Sequence, residues 1–188
     1  LILKHKEVKK VHIVITRPKE ESLNLISRLI KLGHSVTHLP VIKIIKLEVK
    51  KINFQDYEAV IFTSSNAIKY MDVEKFNYKI KCFCVGNATE STAKQFGFVN
   101  TFSSEGTVDS LIELVIRTVD NKSGKLLYLS SEFISKDLDA DLIKEGYSVD
   151  RISNYTSLAI EQIDIKTLDF IKENPPDVFF IYSTKSAK

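Results

Sequence analysis

The octapeptide LIKLGHSV at residues 29–36 recurs almost unchanged as LIKEGYSV at residues 142–149, 113 positions further along the chain. Each copy reads as the end of an amphipathic helix, a glycine suited to a left-handed cap, and the start of a strand. The recurrence of this junction indicates that one supersecondary unit occurs twice.

A second pair of similar segments follows in the same order. VIFTSSNA at residues 60–67 resembles FIYSTKSA at residues 180–187, a separation of 120 positions. Helix–glycine–strand junctions are common in α/β proteins, so either match alone carries little weight. Two matches in the same order, at nearly the same separation, predict two similar halves.

Strand-like runs alternate with helix-length amphipathic runs around these segments. Such alternation is typical of βα units that build a mostly parallel sheet, so the predicted class is α/β. The predicted strands are residues 11–16, 59–63, 81–85 and 126–129, and the predicted helices are residues 19–32, 66–73, 89–96, 107–119 and 135–144.

Composition narrows the class of protein. With 188 residues and 44% hydrophobic side chains, the chain has enough apolar material for a core. The net charge of +3 comes from interspersed lysines and acidic residues, so we expect no nucleic-acid partner. The two cysteines, Cys82 and Cys84, lie two apart in an apolar run, which favours a reduced cytoplasmic protein.

The two ends of the chain carry weaker signals. Residues 1–10 are rich in lysine, and their apolar stretch is too short for a signal peptide or a membrane span. We expect a loose leader there and no membrane partner. The chain stops at Lys188, directly after a strand-like run, so we expect the second half to be incomplete.

Small polar residues follow the predicted strands. The carboxyl ends of parallel strands bind ligands in open α/β sheets, and small hydroxyl or amide side chains can cap the helices that begin there. Several helix N-termini together would favour an anionic ligand. The alternative is that these residues are only caps. The positions are Thr16–Pro18, Thr63–Asn66, Gly86–Thr89, Ser130–Ser131 and Ser183–Thr184.

The sequence lacks the residue patterns that several kinds of catalytic or binding site require. No strand end carries a pair of acidic residues for Mg²⁺, and neither G-x-x-x-x-G-K-[ST] nor G-x-G-x-x-G is present. G-x-S-x-G is absent, and the four histidines form no H-E-x-x-H. We therefore expect no metal ion and no cofactor. A site rich in donors and poor in catalytic groups suits a reaction whose reactivity lies in the substrate.

Four segments together resemble the uroporphyrinogen-III synthase family. They are VITRP at residues 14–18, YEAVIFTSSNA at 57–67, VGNAT at 85–89 and YT at 155–156, and the resemblance extends from about residue 11 to 187. The resemblance implies two flavodoxin-like parallel-sheet domains joined by a two-stranded linker, one domain being discontinuous.

The resemblance and the repeat together predict domain boundaries. The discontinuous domain would comprise residues 1–42 plus 164–188 and would be short by one or two βα units at its C-terminal end. The continuous domain would comprise residues 53–152. The extended-looking residues 43–52 and 153–163 would be the two crossing linker strands.

The resemblance also implies a reaction. Enzymes of this family close the linear tetrapyrrole hydroxymethylbilane into uroporphyrinogen III, without a cofactor, with loss of water and inversion of the last pyrrole ring. The protein would act as a monomer on this small-molecule polycarboxylate.

Particular residues follow from the resemblance. Tyr155 is the candidate weak general acid toward the leaving hydroxyl. Its alternative role is that of a half-buried aromatic residue in a crossing strand. Arg17 would bind a carboxylate or would simply be solvated. The candidate substrate-binding residues besides Arg17 are Thr63, Ser64, Asn87, Thr89 and Ser183.

Two other functions fit the same pattern. A non-catalytic two-domain α/β module that binds a small anionic ligand in its interdomain cleft is the main alternative. A flavodoxin-like signalling domain is the other, and the missing acidic cluster argues against it.

Overall fold

The computed structural model describes residues 9–181 of the chain. The described residues form two compact units. One comprises residues 9–44 with 157–181, and the other comprises residues 45–156. We call them the split unit and the continuous unit.

The elements alternate as the sequence predicts. Among residues 9–181, no helix is long and apolar enough to cross a membrane. In chain order the elements are β1 His12–Ile15, α1 Lys19–Lys31, β2 Ser35–His38, β3 Ile42–Lys46, β4 Ile52–Asn53, β5 Ala59–Phe62, α2 Ser65–Lys69, β6 Val73–Lys75, β7 Lys81–Val85, α3 Gly86–Gln95, β8 Thr101–Ser104, α4 Val108–Thr118, β9 Leu126–Ser131, α5 Leu138–Lys144, β10 Val149–Ala159, α6 Ile165–Glu173 and β11 Val178–Phe180.

The continuous unit is built on the sheet β3-β10-β9-β5-β7-β8. The pairs from β10 through to β8 are all parallel. The predicted α/β class with parallel sheets is therefore confirmed. Strands β3 and β10 each continue into the split unit. The assignment of residues 43–52 and 153–163 as linker strands stays a prediction.

The central strand β5 is apolar because both of its faces are buried. Ala59 and Ile61 pack with Leu111 and Leu142, which come from α4 and α5. Phe62, which alternates with Ile61 along the strand, is also fully buried. A parallel strand covered on both faces reads as a continuous hydrophobic run, which explains AVIF in the sequence.

The split unit holds the parallel sheet β11-β1-β2. Its outer strands come from opposite ends of the chain. The buried Thr16 hydroxyl donates to the carbonyl of Phe180 at 2.8 Å, and the backbone N–H of His12 donates to Asp177 Oδ2 at 2.7 Å. These bonds attach β11 to β1 at both ends of the strand pair.

The repeated glycines adopt the predicted conformation. Gly33 has φ +88° and Gly146 has φ +87°, which is the left-handed region. The residue after each glycine donates its N–H to a helix carbonyl four residues before that glycine, at 3.1 Å in both copies. Both junctions are thus the same helix cap, as the repeat predicts.

Strand order confirms the two similar halves. The repeat matches β1 with β9, β2 with β10, and β11 with β5. Their sheets read β2-β1-β11 and β10-β9-β5, which is the same order. With β7 and β8 added, the continuous unit has the order β10-β9-β5-β7-β8, which is 5-4-1-2-3 in chain order. It equals the 2-1-3-4-5 order of flavodoxin-like folds when its strands are numbered from β9, as the repeat matches them.

One predicted helix is wrong in its extent. The sequence predicts a helix over residues 66–73, whereas α2 ends at Lys69 and Val73 begins β6. Strand β6 pairs with β4, and the N–H of Ile52 donates to the carbonyl of Asp72 at 2.9 Å. Pairing with a distant segment outweighs the local helical pattern here.

Other boundaries also differ. Helix α3 begins at Gly86 instead of Thr89, because Gly86 at φ +71° turns β7 directly into the helix. Strand β9 extends to Ser131, two residues beyond its predicted end, and α5 begins at Leu138 rather than residue 135. Two of the supposed cap segments, 86–89 and 130–131, therefore lie inside elements.

The packing of α5 provides a stability test. Leu142 is fully buried in the core, whereas the neighbouring Ile143 is 53% exposed. Leu142→Ala should lower the free energy of unfolding by about 2–5 kcal/mol, because it removes buried methyl groups and leaves a cavity. Urea denaturation of the matched Ile143→Ala variant should show a change within about 0.5 kcal/mol. Equal losses for both variants would contradict this core assignment.

Candidate functional site

A cavity of about 200 Å³ lies at the carboxyl edge of the sheet in the continuous unit. It is bordered by the segments that follow β5 and β9. These strands are adjacent, but the chain leaves β5 toward β7 and leaves β9 toward β10, so the strand connections diverge there. Such a topological switch point is the usual ligand site of open α/β sheets. The cavity, called the switch-point cavity below, is lined by Thr63, Ser64, Val108, Tyr128, Ser131, Phe133, Ile134, Ser135, Lys136 and Tyr155.

A hydroxyl pair joins the two strands beneath the cavity. Thr63 Oγ1 lies 3.2 Å from the phenol oxygen of Tyr128, which is almost fully buried. Burial raises the pKa of Tyr128, while the hydrogen bond to Thr63 and the charge of Arg151 act in the opposite direction. The phenol of Tyr128 is therefore neutral at physiological pH and holds Thr63 in place.

Ser64 is the N-cap of α2. It has extended backbone angles, and its Oγ accepts a hydrogen bond from the N–H of Asn66 at 3.2 Å. Helix α2 has only five residues, so it depends on its surroundings for stability. The position of Ser64 in the cavity is tied to the position of this short helix.

Tyr155 reaches the cavity from β10. The register of β10 against β9 shifts between Ser153 and Tyr155, so Asn154 is an extra residue and Tyr155 pairs with Ser131. Bulges of this kind re-aim side chains and are frequent near binding sites. Tyr155 is only 7% exposed, and its ring centroid lies 6.5 Å from that of Tyr70.

Arg151 holds the start of the loop that follows β9. Its Nε donates to Ser130 Oγ at 3.0 Å, and one terminal nitrogen donates to the carbonyls of Ser131 and Glu132, each at 3.1 Å. Three charge-assisted bonds from one guanidinium group make this loop start well defined.

The rest of that loop contributes an aromatic ring and a cation. Phe133 is 66% exposed, although it lines the cavity. Lys136 pairs with Asp109 at the start of α4, and its Nζ lies 3.8 Å from Asp141. The hydrogen bond to Asp109 raises the pKa of Lys136, so its ammonium group stays protonated at neutral pH.

Three of the residues named from the sequence come together. Thr63, Ser64 and Tyr155 all line the switch-point cavity, although Tyr155 lies about ninety positions from the other two. The roles assigned to them stay predictions.

The other predicted residues lie elsewhere. Asn87 is exposed at a separate cavity of about 360 Å³ beside Gly106, where its Oδ1 accepts from the Ser103 hydroxyl at 3.2 Å. Thr89 is 7% exposed inside α3, so the expected capping role was wrong for it. Arg17 belongs to the split unit and pairs with Glu21 at 2.9 Å. Ser183 lies outside the described residues.

Sequence reasoning missed four residues around the cavity. Tyr128 and Arg151 lie within strand runs, where nothing local distinguishes them from structural residues. Lys136 is one of many lysines. Phe133 could have been identified from the sequence, because Phe133-Ile134 is an apolar pair in an otherwise polar connection between a strand and a helix.

The described part of the chain contains no cluster of potential metal ligands. Residues 9–181 hold no group of three or more His, Cys, Asp or Glu side chains placed to bind a metal ion. What the switch-point cavity offers is hydroxyl groups, two phenols, the ring of Phe133 and one paired cation.

Comparison with known sequences identifies relatives. A family model described as "Uroporphyrinogen-III synthase HemD" matches residues 24–188. "Porphyrin biosynthesis protein HemD" of Ruminiclostridium josui is 24% identical over 164 residues, covering 80% of this chain and 32% of that protein. The chain thus spans about a third of the length of this curated relative.

Solved structures give the same fold. The uroporphyrinogen-III synthetase of Helicobacter pylori 26695 matches with a TM-score of 0.61 at 15% identity, covering 94% of this chain and 75% of that one. A mutant uroporphyrinogen III synthase of the extremely thermophilic bacterium Thermus thermophilus matches with a TM-score of 0.54 at 16% identity, covering 90% and 71%. At such identities the likeness concerns the fold.

The three bonds of Arg151 provide a test of the site's framework. Arg151→Met keeps much of the aliphatic stem but removes the donor to the Glu132 carbonyl and the bond to Ser130 Oγ. The Ser131 carbonyl loses one donor and keeps the Ser130 hydroxyl at 3.0 Å. We expect a loss of about 2 kcal/mol in unfolding free energy, and faster amide exchange in residues 132–137. Lys125→Met is the matched control, because Lys125 also bridges β9 and β10, through an exposed ion pair with Asp150. That variant should lose under about 1 kcal/mol. Unchanged exchange in the Arg151 variant would refute the role of the guanidinium.

Proposed function

The chain belongs to the uroporphyrinogen-III synthase family, and we propose that the protein containing it closes hydroxymethylbilane to uroporphyrinogen III. The observation that carries the proposal is the meeting of Thr63, Ser64 and Tyr155 at the switch-point cavity. The proposal includes catalysis without a cofactor, by a monomer, in the cytoplasm.

Much of the reactivity belongs to the substrate. The electron-rich pyrroles expel the terminal hydroxyl as water, and the resulting carbon electrophile is attacked by the substituted carbon of the last pyrrole. A rearrangement then inverts that ring, and loss of a proton restores its aromatic system. The protein's task is to fold the chain for this attack and to assist the departure of the hydroxyl, so orientation carries much of the rate enhancement.

Tyr155 is proposed to assist the departing hydroxyl. A tyrosine phenol is a weak acid that can donate a hydrogen bond to a departing hydroxyl. The buried position of Tyr155 excludes water from one side of that bond and so strengthens it.

The cavity is proposed to hold carboxylates of the substrate. Thr63 and Ser64 supply short polar side chains, and Val108 lies in the first turn of α4, where backbone N–H groups have no helical acceptor. The protonated Lys136 adds positive charge that Asp109 compensates in part. Asn87 at its own cavity and Arg17 in the split unit are proposed for further carboxylates, and the same is proposed for Ser183.

Thr89 is also proposed for carboxylate binding. Its side chain is buried within α3, so we assign this part to the backbone N–H groups that precede it in the first turn of that helix.

Phe133 is proposed to contact a pyrrole ring. An aromatic side chain that remains 66% exposed buries apolar area when a flat ring stacks on it. The remaining lining is mostly polar, so Phe133 would bind a ring face while its neighbours bind the carboxylates.

Removing the phenol of Tyr155 tests the catalytic assignment. Tyr155→Phe in the full-length protein should lower kcat about 100-fold, because it removes the hydrogen bond to the leaving group but keeps the ring. The assay separates the III isomer from the I isomer, in which hydroxymethylbilane has closed without inversion of the last pyrrole ring. A Phe variant that forms the III isomer at the original rate would exclude Tyr155 as the acid. A wild-type protein that yields only the I isomer would favour the binding-module alternative.

Removing the ring of Phe133 tests substrate contact. Phe133→Ala should raise KM roughly tenfold with little change in kcat, because a stacking contact of about 1 kcal/mol adds to the lost apolar area. Phe96→Ala is the matched control, since Phe96 is a 43% exposed phenylalanine of the same unit that does not line the cavity. A similar rise in KM for both variants would contradict a specific contact between Phe133 and the substrate.

A further inference from the structure

Asn154 occupies an unusual place in the continuous unit. It is the inserted residue of the β10 bulge, with Ser153 paired to Ser130 and Tyr155 paired to Ser131. Its side chain is fully buried at 0% exposure. A polar side chain at an irregular point of a strand, next to the proposed acid, needs a physical explanation.

The amide of Asn154 supports helix α2. Its Nδ2 donates to the carbonyl of Ala67 at 2.7 Å, across 87 positions of sequence. In this five-residue helix, the N–H of Met71, which would normally bond to Ala67, lies 3.4 Å from the carbonyl of Ile68 instead. The carbonyl of Ala67 therefore depends on Asn154 for a donor.

The backbone of Asn154 makes a second link. Its carbonyl accepts a hydrogen bond at 3.0 Å from the N–H of Leu47, directly after β3. The bulged residue is thus held between Leu47 on one side and helix α2 on the other. Its neighbour Tyr155 and the α2 cap Ser64 both line the switch-point cavity.

The oxygen of the Asn154 side-chain amide makes the bond to Ala67 more telling. Asn154 Oδ1 is buried and has no hydrogen-bond partner among the described residues. A buried unpaired oxygen is destabilising, so the bond that the amide N–H makes has to offset this cost. What Asn154 contributes, and a leucine of similar size would not, is the N–H donor to Ala67.

We propose that Asn154 is a positioning residue that sets the distance between Tyr155 and Ser64 by joining the β10 bulge to helix α2. This inference rests on the proposed function of the switch-point cavity. It assigns Asn154 no contact with the substrate.

The test compares two buried residues of β10 in the full-length protein. Asn154→Leu removes the donor and keeps the volume. Thr156→Val is the matched control, because Thr156 is also buried and its hydroxyl likewise has no hydrogen-bond partner among the described residues. Two quantities are measured on the folded fraction of each variant. One is kcat and KM with hydroxymethylbilane, and the other is the ¹⁹F resonance of Tyr155 after 3-fluorotyrosine labelling, assigned with Tyr155→Phe.

The expected result separates positioning from stability. Asn154→Leu should lower kcat about 100-fold and shift the Tyr155 resonance, since a small displacement of a reacting group has effects of this size. Thr156→Val should leave both unchanged. A merely structural role of Asn154 would lower the folded fraction but leave kcat and the resonance of the folded enzyme as they were, and that outcome overturns the proposal.

Two further outcomes are also decisive. If Asn154→Leu does not fold, Asn154→Ser carries the same two measurements, because it loses the reach to Ala67 without adding bulk. If the wild-type protein makes no uroporphyrinogen III, the proposed function fails, while the Tyr155 resonance of the Asn154 variants still shows whether Asn154 positions Tyr155.

Discussion

The parallel pairing of β5 with β9 is the constraint on which the continuous unit depends. The two strands come from segments more than sixty positions apart, and Ala59 to Phe62 align with Leu126 to Leu129 in register. Both strands are buried throughout this stretch, so the hydrophobic effect fixes their pairing. A slip by one residue would turn each apolar side chain to the opposite face.

That pairing also creates the site. The chain leaves β5 toward one edge of the sheet and leaves β9 toward the other, so the two following loops separate and leave space above the strands. Short side chains at Thr63 and Ser64 keep that space open. The cavity is a consequence of strand order, and the residues around it determine which ligand it suits.

Two irregular features then determine which side chains border the cavity. The bulge in β10 directs Tyr155 toward it, and the short helix α2 places Ser64 at its border. Neither feature is stable alone, because a five-residue helix and a bulged strand both need outside partners. Asn154 connects the two, and Arg151 holds the loop opposite them.

The sequence by itself determined the α/β class, the two similar halves and the left-handed caps at Gly33 and Gly146, because these depend on local periodicity and on backbone freedom. It also named Thr63, Ser64 and Tyr155 through a family resemblance. Only the tertiary structure decided that these three share one cavity, that α2 stops at Lys69, and that Tyr128, Phe133 and Arg151 surround the site. Those outcomes depend on strand order, a bulge and contacts between distant segments, which local sequence patterns do not encode.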